Sequence, residues 1–295
     1  MNQNSSSIAG FFFALAAFTI WGLLPLFWRL LEFAEPLEVL AHRALWSLPV
    51  AIIAVLFVGR FQQIAPTFKN PKSLAVLCLC ALLISYNWGV FIWAIANNRV
   101  LESAMAYYIN PLMSVALGVF FLQDKLTPLQ KTAVGFAAAA VLVLTLASGS
   151  FPWIAITLAF TFAVYGYLRK TVDVGANQGF LIESIIIMAP AFVYLIWIAN
   201  KGQIQFGASL ESSLLLLLAG PATAIPLILF ANGAKRLRLS TIGLMQYIAP
   251  TLMFTIATLV YGEPLSMVKL FAFILIWIAL AIYSFSMIKA QKNHP

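Results

Sequence analysis

Ten apolar runs, each long enough to cross a bilayer, leave this chain few ways to fold. They occupy about 8–29, 36–59, 73–96, 101–123, 128–148, 151–168, 178–199, 212–233, 240–261 and 268–288. A helix of about 20 apolar residues rises roughly 30 Å, the depth of a hydrocarbon core. The longest gaps, about 60–72 and 200–211, are too small to fold alone. With 63% hydrophobic residues and a mean hydropathy of +0.97, the chain carries more apolar surface than a soluble domain can hide. The lipid bilayer must therefore be its solvent. The expected fold class is an all-α polytopic membrane protein with ten transmembrane helices. The segment Met1–Ser7 has no basic stretch, and the run behind it outlasts a signal peptide's core, so it is expected to stay as the first span.

Lysine and arginine set the orientation. With a cytoplasmic N-terminus, the inner gaps hold twelve of the 17 basic residues and the outer gaps four: Arg29, Arg99, Lys201 and Lys269. Arg43 lies inside a span. The positive-inside rule then places both termini in the cytoplasm. Ten spans divide into five and five, giving halves at 1–148 and 149–295. An odd number of spans per half makes the second half enter from the opposite face, so the halves are expected to form an inverted repeat.

Two echoing stretches support the duplication. A shift of 139 positions lays Tyr108, Ile109 and Pro111 on Tyr247, Ile248 and Pro250, and Asp124 and Leu126 on Glu263 and Leu265. With small slips, His42 falls on Glu183, and Trp21-Gly22 on Tyr165-Gly166. Each proline removes an amide hydrogen, so Pro111 frees the carbonyl of Tyr107 and Pro250 that of Gln246. In hydrocarbon a freed carbonyl needs protein or water, and such breaks belong where a helix lines a cavity. Two broken helices at matching depth point to a transporter's binding site. Gly220, Pro221 and Pro226 make span eight the most interrupted. Pro111, Pro226 and Pro250 are the expected hinges.

Polar groups at membrane depth mark the candidate site. A charge there costs at least about 2.5 kcal/mol, so it needs a partner or a role. Arg43, roughly 10 Å from the outer end of span two, is expected to pair with Glu102 or an anionic substrate group, or else to snorkel to the headgroups. His42 and Glu183 are candidates for proton coupling, or for holding a helix crossing. Trp21, Asn87, Trp88, Trp93, Tyr107, Tyr108, Asn110, Gln246 and Tyr247 supply aromatic walls and orienting amides, the lining of a pocket for a small amphipathic molecule. Asp124 and Glu263 end their segments and are expected to serve helix pairing. Gly135 with Ala137–Ala140 lets helices approach closely.

Several chemistries have no footing. The net charge of +8 is spread over short gaps rather than one face, so nucleic acid is not expected as a partner. Cys78 and Cys80 point in different directions on one helix and lack companions for a metal site. No phosphate-binding GxxxxGK[ST], HExxH or nucleophile elbow occurs. Neither catalysis, a metal nor a cofactor is expected. The leading expectation is a secondary transporter; a passive channel, a lipid scramblase or a membrane scaffold are the alternatives.

The ordered motifs also carry a resemblance that covers essentially the whole chain. They are His42-Arg43-Ala44-Leu45-Trp46-Ser47, Asn87-Trp88 with Phe91-Ile92-Trp93-Ala94, Tyr108-Ile109-Asn110-Pro111-Leu112, Arg169-Lys170, Pro226-Leu227 and Gln246-Tyr247-Ile248-Ala249-Pro250-Thr251. Together they resemble the EamA-type members of the drug/metabolite transporter superfamily, and within it the RarD group of chloramphenicol-sensitive proteins or permeases. Glu102-Ser103-Ala104-Met105-Ala106 departs from the group's Glu-Ala-Ser-Leu-Gly-like run, and Asp124 stands where glutamate is usual. The resemblance implies a permease of the bacterial inner membrane that exports small metabolites or drugs, amphenicol-like or amino-acid-like compounds among them.

Overall fold

The computed structural model describes residues 3–58, 62, 64–97, 99–149, 151–262 and 267–292. Glu263 and Leu265, the expected repeat partners of Asp124 and Leu126, lie outside these residues, as does Arg60. The described chain is helical throughout: α1 (Gln3–Trp28) with a 3₁₀ turn (Arg29–Leu31), α2 (Pro36–Val58), α3 (Ile64–Lys69), α4 (Pro71–Ala96), α5 (Val100–Phe121), α6 (Pro128–Ser148), α7 (Trp153–Thr171), α8 (Ala176–Asn200), α9 (Leu210–Arg236), α10 (Leu239–Met245), α11 (Ile248–Leu259) and α12 (Met267–Lys292). Apart from α3, which falls in a predicted gap, each element or the α10–α11 pair coincides with one apolar run.

Among the described residues, nine helical segments are long and apolar enough to cross a membrane. This is a multi-pass membrane protein. The long helix not among the nine is α7, 19 residues long, where Thr157, Thr161, Tyr165, Arg169 and Lys170 dilute the apolar content.

The prolines do not all break their helices. α5 runs unbroken through Pro111, and α9 through both Pro221 and Pro226. The expectation of two broken helices at matching depth, and of a most-interrupted span eight, is corrected accordingly. A proline costs one hydrogen bond, and a packed membrane helix survives that loss where neighbours re-satisfy the freed group. The ninth span does break, between α10 and α11, at Gln246-Tyr247. There Pro250 sits in the first turn of the new helix, where an amide hydrogen has no helical partner to lose. The amide of Ala249 reaches back to the Gln246 carbonyl at 3.2 Å, so the carbonyl freed by Pro250 is satisfied by a tighter turn.

Helix pairing is selective. α1 packs on α9 and α11, α2 on α8 and α9, α4 on α7 and α8, α5 on α7 and α10, and α6 on α12. Gly243 permits the α5–α10 contact, because a Cβ there would meet the Pro111 carbonyl oxygen at 2.7 Å. Asp124 ties the same pair from outside α5, accepting from the Ser240 amide at 3.0 Å and its hydroxyl at 2.8 Å. The core packs around Phe18, Tyr165, Phe230 and Ile242, and a second cluster joins α6 to α12.

Candidate functional site

Three helices converge on Arg43. From α2, its guanidinium lies 4.7 Å from the Trp28 ring of α1 and 4.9 Å from the Trp88 ring of α4. Its Nε donates to Thr223 Oγ1 of α9 at 2.9 Å. The Thr223 hydroxyl spends its own proton on the Ala219 carbonyl, leaving a lone pair for arginine. Tyr107 of α5 stands within electrostatic reach, and it remains 38% exposed. Two indole rings and one hydrogen bond thus hold the cation in place.

The expected Arg43–Glu102 pair is absent. Glu102 Oε2 instead meets Arg99 at 2.7 Å, and Oε1 accepts from the Ile154 amide at 3.1 Å, joining the start of α5 to α7. Among the described residues no carboxylate forms an ion pair with Arg43.

An aromatic floor lies about two helical turns from Trp28 and Thr223 along α1 and α9. Trp21 packs 5.8 Å from Phe162 and 5.7 Å from Phe230, and Tyr165 stacks on Phe230 at 6.3 Å. The two repeat-related aromatics, Trp21 and Tyr165, therefore meet on one phenylalanine. Beneath the floor Glu183 accepts from the Tyr165 hydroxyl at 3.2 Å and pairs with Arg169 at 3.2 Å. Arg169 is wholly buried and also donates to the Ala176 carbonyl. A void of about 10 Å³, room for one water, lies between Ser47, Trp88, Tyr165, Glu183 and Ser184.

Below this cluster the helix ends are tied shut. Lys170 donates to the Ala234 carbonyl at 3.0 Å and to that of Leu237. Lys235 returns the link to the carbonyls of Lys170 and Val172. α7 and α9 are thereby joined along this end. α1 and α4, by contrast, are bridged at their far ends by the Arg43 guanidinium.

The remaining candidates occupy other places. Asn87 spends both amide donors on α7, at the Leu158 carbonyl and Thr161 Oγ1, each 2.8 Å. Trp93 packs 5.6 Å from Trp153 at the bundle's edge. Tyr108 meets Phe273 edge-on at 5.5 Å, on the side of α12. Tyr247, fully buried, donates its hydroxyl to the Tyr108 carbonyl at 3.0 Å, across 139 positions. Gln246 donates to Ser114 at 3.1 Å. Among the described residues the amide oxygens of Asn110 and Gln246 are buried with no hydrogen-bond partner, and Asn110 lies one helical turn from Ser114 on the same face. His42 accepts from Trp46 Nε1 at 3.1 Å and stacks on Phe206 at 4.9 Å.

Four contributors escape a sequence reading. Trp28 and Phe230 look like ordinary apolar residues, and Thr223 like a helix hydroxyl. Arg169 counts as a gap cation. A lone acid in a span, Glu183, does demand a cation, and the preceding helix end offers Arg169 or Lys170; that signal was available. Glu38, fully buried, also goes unseen: its Oε1 accepts from the Gln205 and Phe206 amides at 2.8 and 3.1 Å, pinning the α8–α9 loop.

Known proteins agree with this architecture. The profile of the EamA-like transporter family matches residues 8–146. Protein RarD of Streptomyces exfoliatus is 38% identical over 99% of this chain and 93% of its own. The uncharacterized transporter YojE of Bacillus subtilis is 42% identical over 99% of this chain and 100% of its own. A solved structure, described only as the crystal structure of a protein, superposes with a TM-score of 0.70 at 19% identity, covering 94% of this chain and 96% of that one. At that identity it shows the fold alone.

Proposed function

Since this chain belongs to the EamA-like transporter family, in its RarD group, we propose that it is a secondary transporter working by alternating access. In this reading α7 is the tenth span, lodged against α4, α5 and α9. The halves 1–148 and 149–295 are inverted repeats, with both termini in the cytoplasm and the protein in the inner membrane. The packing supports the two-fold relation. Helices in matching positions of the two halves pair with each other: α2 with α8, α5 with α10, α6 with α12. The contact of α1 with α9 is answered by that of α7 with α4, and α1 with α11 by α7 with α5.

The observation that carries the mechanism is a break in that symmetry. The α7–α9 gap is tied shut by Lys170 and Lys235, while its counterpart between α1 and α4 is bridged by one guanidinium. We read this as an outward-open state. Closing α1 onto α4 while α7 parts from α9 would expose the site to the cytoplasm, with Pro111, Pro226 and Pro250 as hinges. Trp21, Trp88 and Tyr107 face the site. Asn110 and Gln246 carry unpartnered acceptors where α5 meets α10, and Asn87, Trp93, Tyr108 and Tyr247 hold the site's walls. The cargo is a small metabolite or drug, amphenicol-like or amino-acid-like, carried outward. The Trp21–Phe230–Phe162 floor opposes a passive channel or scramblase.

Counterflow in proteoliposomes tests this. Solute loaded inside should accelerate uptake of the same labelled solute, and a pH gradient run alongside would reveal coupling through His42 or Glu183. Flux without acceleration by trans solute favours the channel.

A further inference from the structure

Resting on the transport reading, the environment of Arg43 narrows the class of cargo. A guanidinium has five N–H donors in a planar fork. Here Nε is spent on Thr223, and the terminal nitrogens carry no hydrogen bond to a described residue. Arg43 itself is only partly buried. The rings of Trp28 and Trp88 lie 4.7 and 4.9 Å from its central carbon, and the terminal N–H groups are the donors left over. No carboxylate neutralises it among the described residues, though Arg99 and Arg169 each have one. A cation kept at membrane depth without a counter-ion is costly unless something else supplies the charge.

The surroundings argue against a lipid headgroup as that supplier. Trp28, Trp88 and Thr223 belong to three different helices that close around the cation from inside the bundle, whereas a snorkelling arginine reaches away from its neighbours. We infer that Arg43, held between Trp28 and Trp88, binds the oxyanion of the cargo, and that the cargo is a small organic carboxylate with a flat apolar body. The fork takes the carboxylate edge-on through two parallel hydrogen bonds. The body rests between Trp21, Trp88 and Tyr107, whose rings tolerate many flat shapes. Thr223 is a positioning residue, acting through the arginine.

The test uses the purified full-length protein in detergent with matched pairs: benzoate, phenylacetate and 3-phenylpropionate, each against its neutral amide. Thermal unfolding should shift upward with at least one acid and not with its amide. Arg43→Gln should weaken that acid's binding about tenfold to a hundredfold, and Arg43→Lys should fall between. Equal shifts from acid and amide, or no shift from any acid, overturn the inference from wild-type protein alone, so a variant that misfolds cannot protect it. A shift from phosphatidylglycerol that abolishes the acid's effect overturns it in favour of a lipid. Counterflow separates the two readings. Trans-acceleration of the amide as strong as that of the acid leaves transport standing and removes the anion. Acid binding without any counterflow keeps the anion site and removes transport.

Discussion

Arg169 and Glu183 show how one polar residue in lipid implies another. Both side chains are essentially without solvent contact, so each depends on its partner for charge balance. Arg169→Ala should cost about 3–5 kcal/mol, because it strands a buried carboxylate. Replacing the pair together, Arg169→Met with Glu183→Leu, should recover most of that loss. Thermal unfolding in detergent reads both, and a double variant as unstable as the single one would show that the pair is not the unit. Tyr247 poses a smaller question. Its hydroxyl gives one bond to a backbone carbonyl, so Tyr247→Phe should cost about 1 kcal/mol and leave substrate affinity unchanged if the residue is a wall.

At the scale of elements, close approach decides where helices cross. A Cβ on Gly220 of α9 would fall on the backbone and Cβ of Trp46 in α2. Gly220→Ala should therefore force the two helices apart and cost about 1–3 kcal/mol, with a greater loss for Gly220→Val. A melting series of the two variants measures it. Trp46 also holds His42, and Ser47 donates to the carbonyls of Arg43 and Gly220, so the same strain should reach the arginine and weaken binding. Glu38 acts on a loop. Glu38→Ala leaves the amides of Gln205 and Phe206 unpaired, at about 1–3 kcal/mol, and limited proteolysis at Lys201 should speed up. An unchanged cleavage rate would mean that the stacking of Phe206 on His42 holds the loop by itself.

At the scale of the whole molecule, accessibility separates the two gaps. In a variant with Cys78→Ser and Cys80→Ala, a membrane-impermeant maleimide added from outside should label Tyr107→Cys and spare Tyr165→Cys, which lies at the aromatic floor. Labelling of both would mean that the floor is open. Reaction at Tyr165→Cys alone, and only from the cytoplasmic side, would reverse the assigned state.

Hydropathy and motif order are written along the chain, and they were enough to give the solvent, the helical class and the family. The sequence also carried the 139-residue echo, which reappears as the Tyr247–Tyr108 hydrogen bond. Proline positions were legible, but their consequence was not: Pro250 opens a helix, the carbonyl it frees taken up by a tighter turn, while Pro111 sits within one. Tertiary structure alone decided which polar groups meet. Arg43 lies between Trp28 and Trp88 rather than beside Glu102, and Arg169 turns inward to Glu183, because each contact depends on how the helices are rotated and which of them pack together. Residue spacing fixes a side chain's place on its own helix, and the bundle chooses what it faces.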